Sequence, residues 1–192
     1  MKWLMLALGS ATLIATAPVF AQSAQAAHPV VLFKTTDGDF RVALNPEKAP
    51  KTVANFLEYV KAGQYSGTIF HRVIPGFMIQ GGGYTQSYAE KPTRAPIPLE
   101  SRNGLKNVAG AIAMARTSDP NSATAQFFIN TVDNPGLDYP GQDGYGYAVF
   151  GKVVSGMDVV KKIEGTPTTT RGPMANVPVT PVVIESATVV SQ

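Results

Sequence analysis

Cysteine is absent, and the single tryptophan, Trp3, stands almost at the N-terminus. Without thiols the chain can form neither a disulfide framework nor a thiolate zinc or iron–sulfur site. Histidine is nearly as scarce. Of the two residues, His28 follows an apolar leader, which leaves His71 as the one well-placed imidazole and rules out a His-based metal cluster or a zincin motif. No Gly-x-Ser-x-Gly occurs, so the nucleophile elbow of a serine hydrolase is missing. Gly81-Gly82-Gly83 is followed by no Lys-Ser/Thr and opens no helix pattern; it reads as a flexible turn or strand end, not a phosphate loop. Charge is sparse as well, at 15% of residues, and 16 Lys and Arg against 13 Asp and Glu leave a net of only +3. The basic residues are scattered, which argues against nucleic-acid binding. With 44% hydrophobic residues in 192, the composition instead suits one folded domain.

What is present begins with a leader. After Lys2 no charge appears until Lys34, and Leu4 to Phe20 is apolar with small residues mixed in. This is the pattern of a secretory signal peptide, with cleavage expected after Ala26 (Ala24-Gln25-Ala26) or alternatively after Ala21 (Val19-Phe20-Ala21). A retained anchor fits less well, because the run is short for a span and is broken by Gly9, Ser10 and Pro18. Residues 27–192 are then a single domain with no stable membrane insertion, and the mature chain carries no tryptophan.

Strand patterns dominate that domain. Val30 to Lys34 and Asp39 to Leu44 read as a hairpin turning at Asp37-Gly38. A helix is expected from Pro50 to Gly63, with Val53, Phe56, Leu57 and Val60 on one stripe. Further strand-like runs are Thr68 to Val73, Phe77 to Gln80, Ala111 to Ala115, Phe127 to Asn130 and Tyr147 to Val154. A second helix is expected after Ser155 as N-cap, ending at Gly165. Val182 to Val190 closes the chain as a strand apolar enough to be buried on much of both faces. Many short strands with two helices suggest an antiparallel barrel or sandwich whose ends the helices cover. An outer-membrane barrel is disfavoured, since the strands are short and no aromatic girdles are evident.

The chemistry-bearing segments are Phe70 to Gly82 (FHRVIPGFMIQGG), Met114-Ala115-Arg116 and Ala125 to Asn130 (AQFFIN). Read by pattern alone, their Phe and Met residues are better suited to an ordinary core than to a site. On a regular strand Phe77 and Ile79 face one way and Met78 and Gln80 the other, unless a bulge re-aims them.

These segments resemble the cyclophilin-type peptidyl-prolyl cis-trans isomerases. Phe70 to Gly82 matches that family's FHRxIPGFMxQGG signature completely, Gln126 to Ile129 matches its QFFI segment, and Val149 to Val153 is similar to its strand before the second helix. The leader and the compact loops look most like the periplasmic branch of Gram-negative bacteria. The resemblance implies a mainly β fold, an eight-stranded antiparallel barrel capped by two α-helices, with no cofactor and no metal. It implies Arg72 as the catalytic guanidinium and a proline pocket lined by Phe77, Met78, Phe128 and Leu137. Gln80 and Gln126, with backbone groups around Ala115 and Arg116, would hold the peptide, while the Arg116 side chain is expected in solvent. Tyr147 stands where a histidine is common and keeps a ring in the pocket. Gly136 stands where a tryptophan often precedes the leucine, so weak cyclosporin binding is expected. The implied partners are proline-containing unfolded or flexible polypeptides, met by a monomer in the periplasm. Gln80 could support Arg72 or contact substrate, and His71 is expected to be structural. A non-catalytic, holdase-type peptide binder on the same fold is the rival reading, disfavoured by the presence of Arg72.

Overall fold

Alternating side chains build the first hairpin. In β2 (Gly38–Leu44) Phe40, Val42 and Leu44 are buried, and its partner β1 (Val30–Thr35) sends Val31 and Phe33 to the same interior. The turn is Thr36-Asp37, one residue earlier than expected; Gly38 supplies the positive φ, +132°, as the first residue of β2. The computed structural model describes residues 28–191, and the expected leader, residues 1–26, lies outside them together with Trp3.

The remaining barrel strands are β3 (Thr68–Ile74), β4 (Met78–Thr85), β5 (Ala111–Met114), β6 (Phe127–Asn130), β7 (Val149–Ser155) and β10 (Val183–Ser191). They close an antiparallel eight-stranded barrel in the order β1, β10, β3, β4, β6, β5, β7, β2. Each strand answers to one of the apolar runs in the sequence. The short hairpin of β8 (Thr168–Arg171) and β9 (Met174–Pro178) was not anticipated: it forms its own two-stranded sheet, with β9 packed against β3, and β8 is largely exposed, so no apolar alternation marks it.

Helix α1 (Pro50–Lys61) buries Val53, Phe56, Tyr59 and Val60, while Leu57 is only partly covered. Phe56 thereby reaches the barrel aromatics, 5.0 Å from Phe150 and edge-on to Phe127 at 5.9 Å. Helix α2 (Met157–Glu164) buries Val160 and Ile163. Ser155 is not its cap. It ends β7, and Gly156 takes the N-cap position at φ +80°, where a side chain would collide with the Asp39 carbonyl. Nor is β10 buried on both faces along its length: Val183, Ile184 and Ala187 are covered, whereas Glu185 and Val190 are exposed.

The strands β4 to β7 do bury both faces, and this positions the site. Ile79, Ile112, Phe127, Ile129 and Phe150 point into the barrel core. Met78, Ala111, Ala113, Phe128 and Val149 point the other way, into a second apolar cluster completed by Phe77, Leu105, Ala115, Leu137 and Tyr147. Loops fold over that outer face and leave a hollow in it.

Candidate active site

The hollow encloses about 180 Å³ and is lined by Arg72, Phe77, Met78, Gln80, Ala115, Arg116, Phe128, Leu137 and Tyr147. Every residue expected to bind substrate except Gln126 therefore meets here. Gln126 lines an adjoining hollow of about 200 Å³ with Thr117, Ser122, Thr124 and Glu90, and Gln80, Ala115 and Arg116 form the divide between the two.

Arg72 reaches the pocket through a bulge. Phe70 pairs with Gly81 and Arg72 with Gln80, so His71 is the extra residue on β3. Regular alternation would turn Arg72 to the same side as Phe70, which is fully buried in the barrel; the bulge puts Phe70 and Val73 inside and leaves Arg72 on the pocket face. Its Nη1 donates to Gln80 Oε1 at 3.3 Å, and Gln80 Nε2 donates to Gln126 Oε1 at 3.0 Å. Gln80 thus supports Arg72 and is itself held by Gln126. Gly83 makes room for this row of amides, while Gly81 and Gly82 make room for Phe70 and for Tyr65 and Phe127 on the core side. Gly81 to Gly83 lie within β4 and are neither turn nor strand end, and a Cβ on Gly83 would stand 2.6 Å from Gln126 Cγ.

His71 is buried and lies edge-on to Tyr84 at 4.7 Å, away from the pocket lining. Burial, helped by the neighbouring Arg72 charge, lowers its pKa to about 4, so it is neutral near pH 7 and adds no second cation beside Arg72.

The apolar wall is held by backbone anchors. Phe77 and Met78 share the pocket because Phe77 still belongs to the β3–β4 turn, where strand alternation does not apply. Its carbonyl accepts from Thr131 N at 3.0 Å and Asn134 Nδ2 at 2.9 Å, and the preceding Gly76 N–H donates to Glu164 Oε1 on α2 at 2.8 Å. Leu137 ends a short 3₁₀ turn, Pro135–Leu137, that also contains Gly136. The next residue, Asp138, accepts at Oδ1 from Asn107 N at 2.7 Å and Nδ2 at 3.1 Å; Asn107 in turn accepts from buried Asn130. Tyr147 N–H donates to Leu137 O at 2.9 Å, and its ring meets Phe128 edge-on at 5.5 Å. These asparagine and acidic anchors escaped the sequence reading, since they act across loops with no periodicity to mark them.

The Arg116 side chain is not in solvent. It is 1% exposed and packs flat against the Tyr147 ring, 4.4 Å from its centroid. Ala115 N–H is already used, donating to Gln126 O at 3.0 Å.

A guanidinium facing an apolar pocket, with amides at its edge and no acid–base pair, is the constellation that the sequence resemblance implied. A family model described as cyclophilin type peptidyl-prolyl cis-trans isomerase/CLD matches residues 30–189. The chain belongs to the cyclophilin-type peptidyl-prolyl cis-trans isomerases. It is 51% identical over 181 residues to peptidyl-prolyl cis-trans isomerase A of Dickeya dadantii, covering 94% of this chain and 93% of the relative. To peptidyl-prolyl cis-trans isomerase B of Escherichia coli it is 54% identical over 162 residues, covering 83% and 99%. Among solved structures, a cyclophilin type isomerase of Cryptosporidium parvum superposes with a TM-score of 0.71 at 27% identity, covering 86% of this chain and 99% of that one. The eight-stranded barrel with two helices is thus the cyclophilin architecture, as the resemblance implied.

Proposed function

We propose that this isomerase works by binding the twisted X-Pro amide more tightly than either planar isomer, with Arg72 donating to the prolyl nitrogen. Cis and trans X-Pro forms differ by only about 0.5–1 kcal/mol but are separated by a barrier of roughly 18–20 kcal/mol, which comes from C–N double-bond character. No bond is made or broken, so neither nucleophile nor proton-transfer pair is required. What lowers the barrier is any interaction stronger at the perpendicular geometry than at the planar ones. There the nitrogen becomes pyramidal and regains a lone pair. A guanidinium, always charged and rigidly forked, suits that acceptor.

The observation that carries the reading is the Arg72–Gln80 pairing at the lip of a hollow walled by Phe77, Met78, Phe128, Leu137 and Tyr147. The apolar wall clamps the proline ring while the supported guanidinium waits where the nitrogen turns. A protease-coupled assay on a short X-Pro peptide tests it. Arg72→Ala should lose about 10²–10³ in kcat/KM, as for removal of one preorganised donor, while peptide binding persists. Retained turnover in Arg72→Ala refutes the role; absent turnover in the wild type refutes the function and leaves the holdase reading.

The natural setting is folding of exported proteins by a monomer in the periplasm. The apolar leader, with Lys2 before it and small residues after it, supports this reading. Mass spectrometry of protein recovered from a periplasmic extract should show an N-terminus at Ala27, or at Gln22 for the alternative cleavage. A full-length chain confined to the cytoplasm would exclude export. Binding of cyclosporin should be weak, because Gly136 offers no indole.

A further inference from the structure

Arg116 is a buried cation that the reaction does not use, and apart from a bond to the adjacent Thr117 carbonyl its contacts lead to one segment. Nε and Nη2 donate to the Gly146 carbonyl at 3.2 and 2.8 Å, Nη1 donates to Thr117 O at 3.0 Å, and Nη2 pairs with Asp143. Asp143 passes that hold to the loop backbone: its Oδ1 accepts from Tyr145 N at 2.9 Å and Gly146 N at 3.0 Å. The Arg116 bond and these two amides hold the Asp143 carboxyl well below the usual carboxylate range. One face of the guanidinium meanwhile supports the Tyr147 ring, whose far neighbour is Phe128.

The segment in need of support is glycine-rich. Gly141, Gly144 and Gly146 all have positive φ, so the chain here has much conformational freedom to lose. Asn107 and Asp138 secure its start, Ser101 Oγ donates to the Tyr145 carbonyl at 2.6 Å, and Arg116 with Asp143 holds Gly146. Charge-assisted bonds are roughly twice as strong as neutral ones; with the guanidinium 1% exposed its bonds to the Gly146 carbonyl are little screened, whereas Asp143, 43% exposed, is screened on its solvent side.

We propose that Arg116 is a positioning residue of the isomerase site, its guanidinium fixing the Asp143–Tyr147 segment as a standing wall of the proline pocket before substrate arrives. This rests on the isomerase reading above. The wall touches the proline ring equally in planar and twisted forms, so its loss weakens ground and transition states alike and raises KM while kcat holds. Only an arginine can do this, because one ammonium cannot clamp a carbonyl, pair with a carboxylate and stack on a ring at once.

The test compares wild type, Arg116→Gln, Arg116→Lys and Asp143→Asn in steady-state isomerisation of an X-Pro peptide. Peptide Kd and the Leu137 methyl resonance are followed by NMR. Leaving the Tyr147 wall to be ordered on binding should raise KM and Kd about tenfold in Arg116→Gln, with kcat within about twofold. The Leu137 methyl should broaden or shift with it. Arg116→Lys should fail to restore KM. Asp143→Asn, which keeps its oxygen on Tyr145 and Gly146 but loses the charge, should raise KM about threefold. Unchanged KM and Kd in folded Arg116→Gln, full recovery in Arg116→Lys, or a fall in kcat at fixed KM overturns the proposal. Should Arg116→Gln fail to fold, unchanged KM in Asp143→Asn, a surface position, overturns it instead. Wild-type protein that binds peptide without turnover refutes the isomerase reading, while Kd and the Leu137 methyl still decide whether Arg116 sets the wall.

Discussion

Replacing Gly83 by alanine should separate catalysis from stability. Gly83 lies inside β4 without a left-handed φ, so its backbone accepts alanine; the new Cβ, however, would stand 2.6 Å from Cγ and 2.7 Å from Cδ and Nε2 of Gln126. Those atoms belong to a flexible side chain. Gln126 therefore swings away while the strand stays put, and the Gln80 Nε2–Gln126 Oε1 bond of 3.0 Å is lost. One neutral hydrogen bond contributes about 1 kcal/mol. If its whole effect is to hold Gln80, and through it Arg72, in place for the twisted amide, kcat/KM falls about fivefold. Stability moves less, because alanine restricts the unfolded chain by about 0.4–1 kcal/mol and so offsets the missing bond. The assay is kcat/KM on an X-Pro peptide beside urea unfolding, for Gly83→Ala, Gln126→Ala and the double variant. The double variant should be no worse than the poorer single, since both remove the same support. Full activity in Gly83→Ala, or losses that multiply in the double variant, would refute the view that Gln126, Gln80 and Arg72 act as one unit.

Two further outcomes are expected. Gly136→Trp should fold and bind cyclosporin more tightly by titration, because the nearest atom to a Cβ there is Gln142 Nε2 at 3.6 Å and no positive φ stands in the way; unchanged affinity would mean that this loop does not meet the inhibitor. Folded His71 resists its proton down to about pH 4, whereas the unfolded chain takes it near 6.5. Stability should therefore fall as pH drops through that window, by about 2–3 kcal/mol at pH 4.5, and His71→Gln should remove that part of the slope in urea unfolding.

The barrel strands were legible because each is an apolar run between turn residues, and so was the set of groups at the pocket. Their directions were less so. Alternation read along Phe70-His71-Arg72 turns Arg72 into the core, and only the bulge at His71, invisible in residue types, turns it out. The β8–β9 hairpin escaped because β8 is wet and carries no apolar alternation. Arg116 was misjudged as solvent-facing for a related reason: its acceptors, Asp143 and the Gly146 carbonyl, lie in a loop about 30 residues further on, brought back by pairing that no local pattern encodes. Composition identifies the parts; which loop folds over which strand is settled by long-range contacts.

The division of labour in the pocket follows from the reaction itself. On the mechanism we propose, rotation needs the reacting group held and its nitrogen met by a donor, and groups whose charge does not change near neutral pH suit that task. Gln80 and Gln126 carry no titrating group, and the one imidazole next to Arg72 is kept neutral above about pH 4. The pocket is also held from two sides: loops anchored on Asn107, Asp138 and Arg116 carry Leu137 and Tyr147, while strands β3 and β4 carry Arg72, Met78 and Gln80. Catalysis and folding must then respond differently to acid. Between about pH 5 and 9, kcat/KM should stay level, because no proton moves in the rate-determining step, while stability already sags at the acid end as His71 in the unfolded chain is protonated. A bell-shaped activity profile in that window would mean that a titrating group takes part in the chemistry, and the twisted-amide mechanism would have to be abandoned.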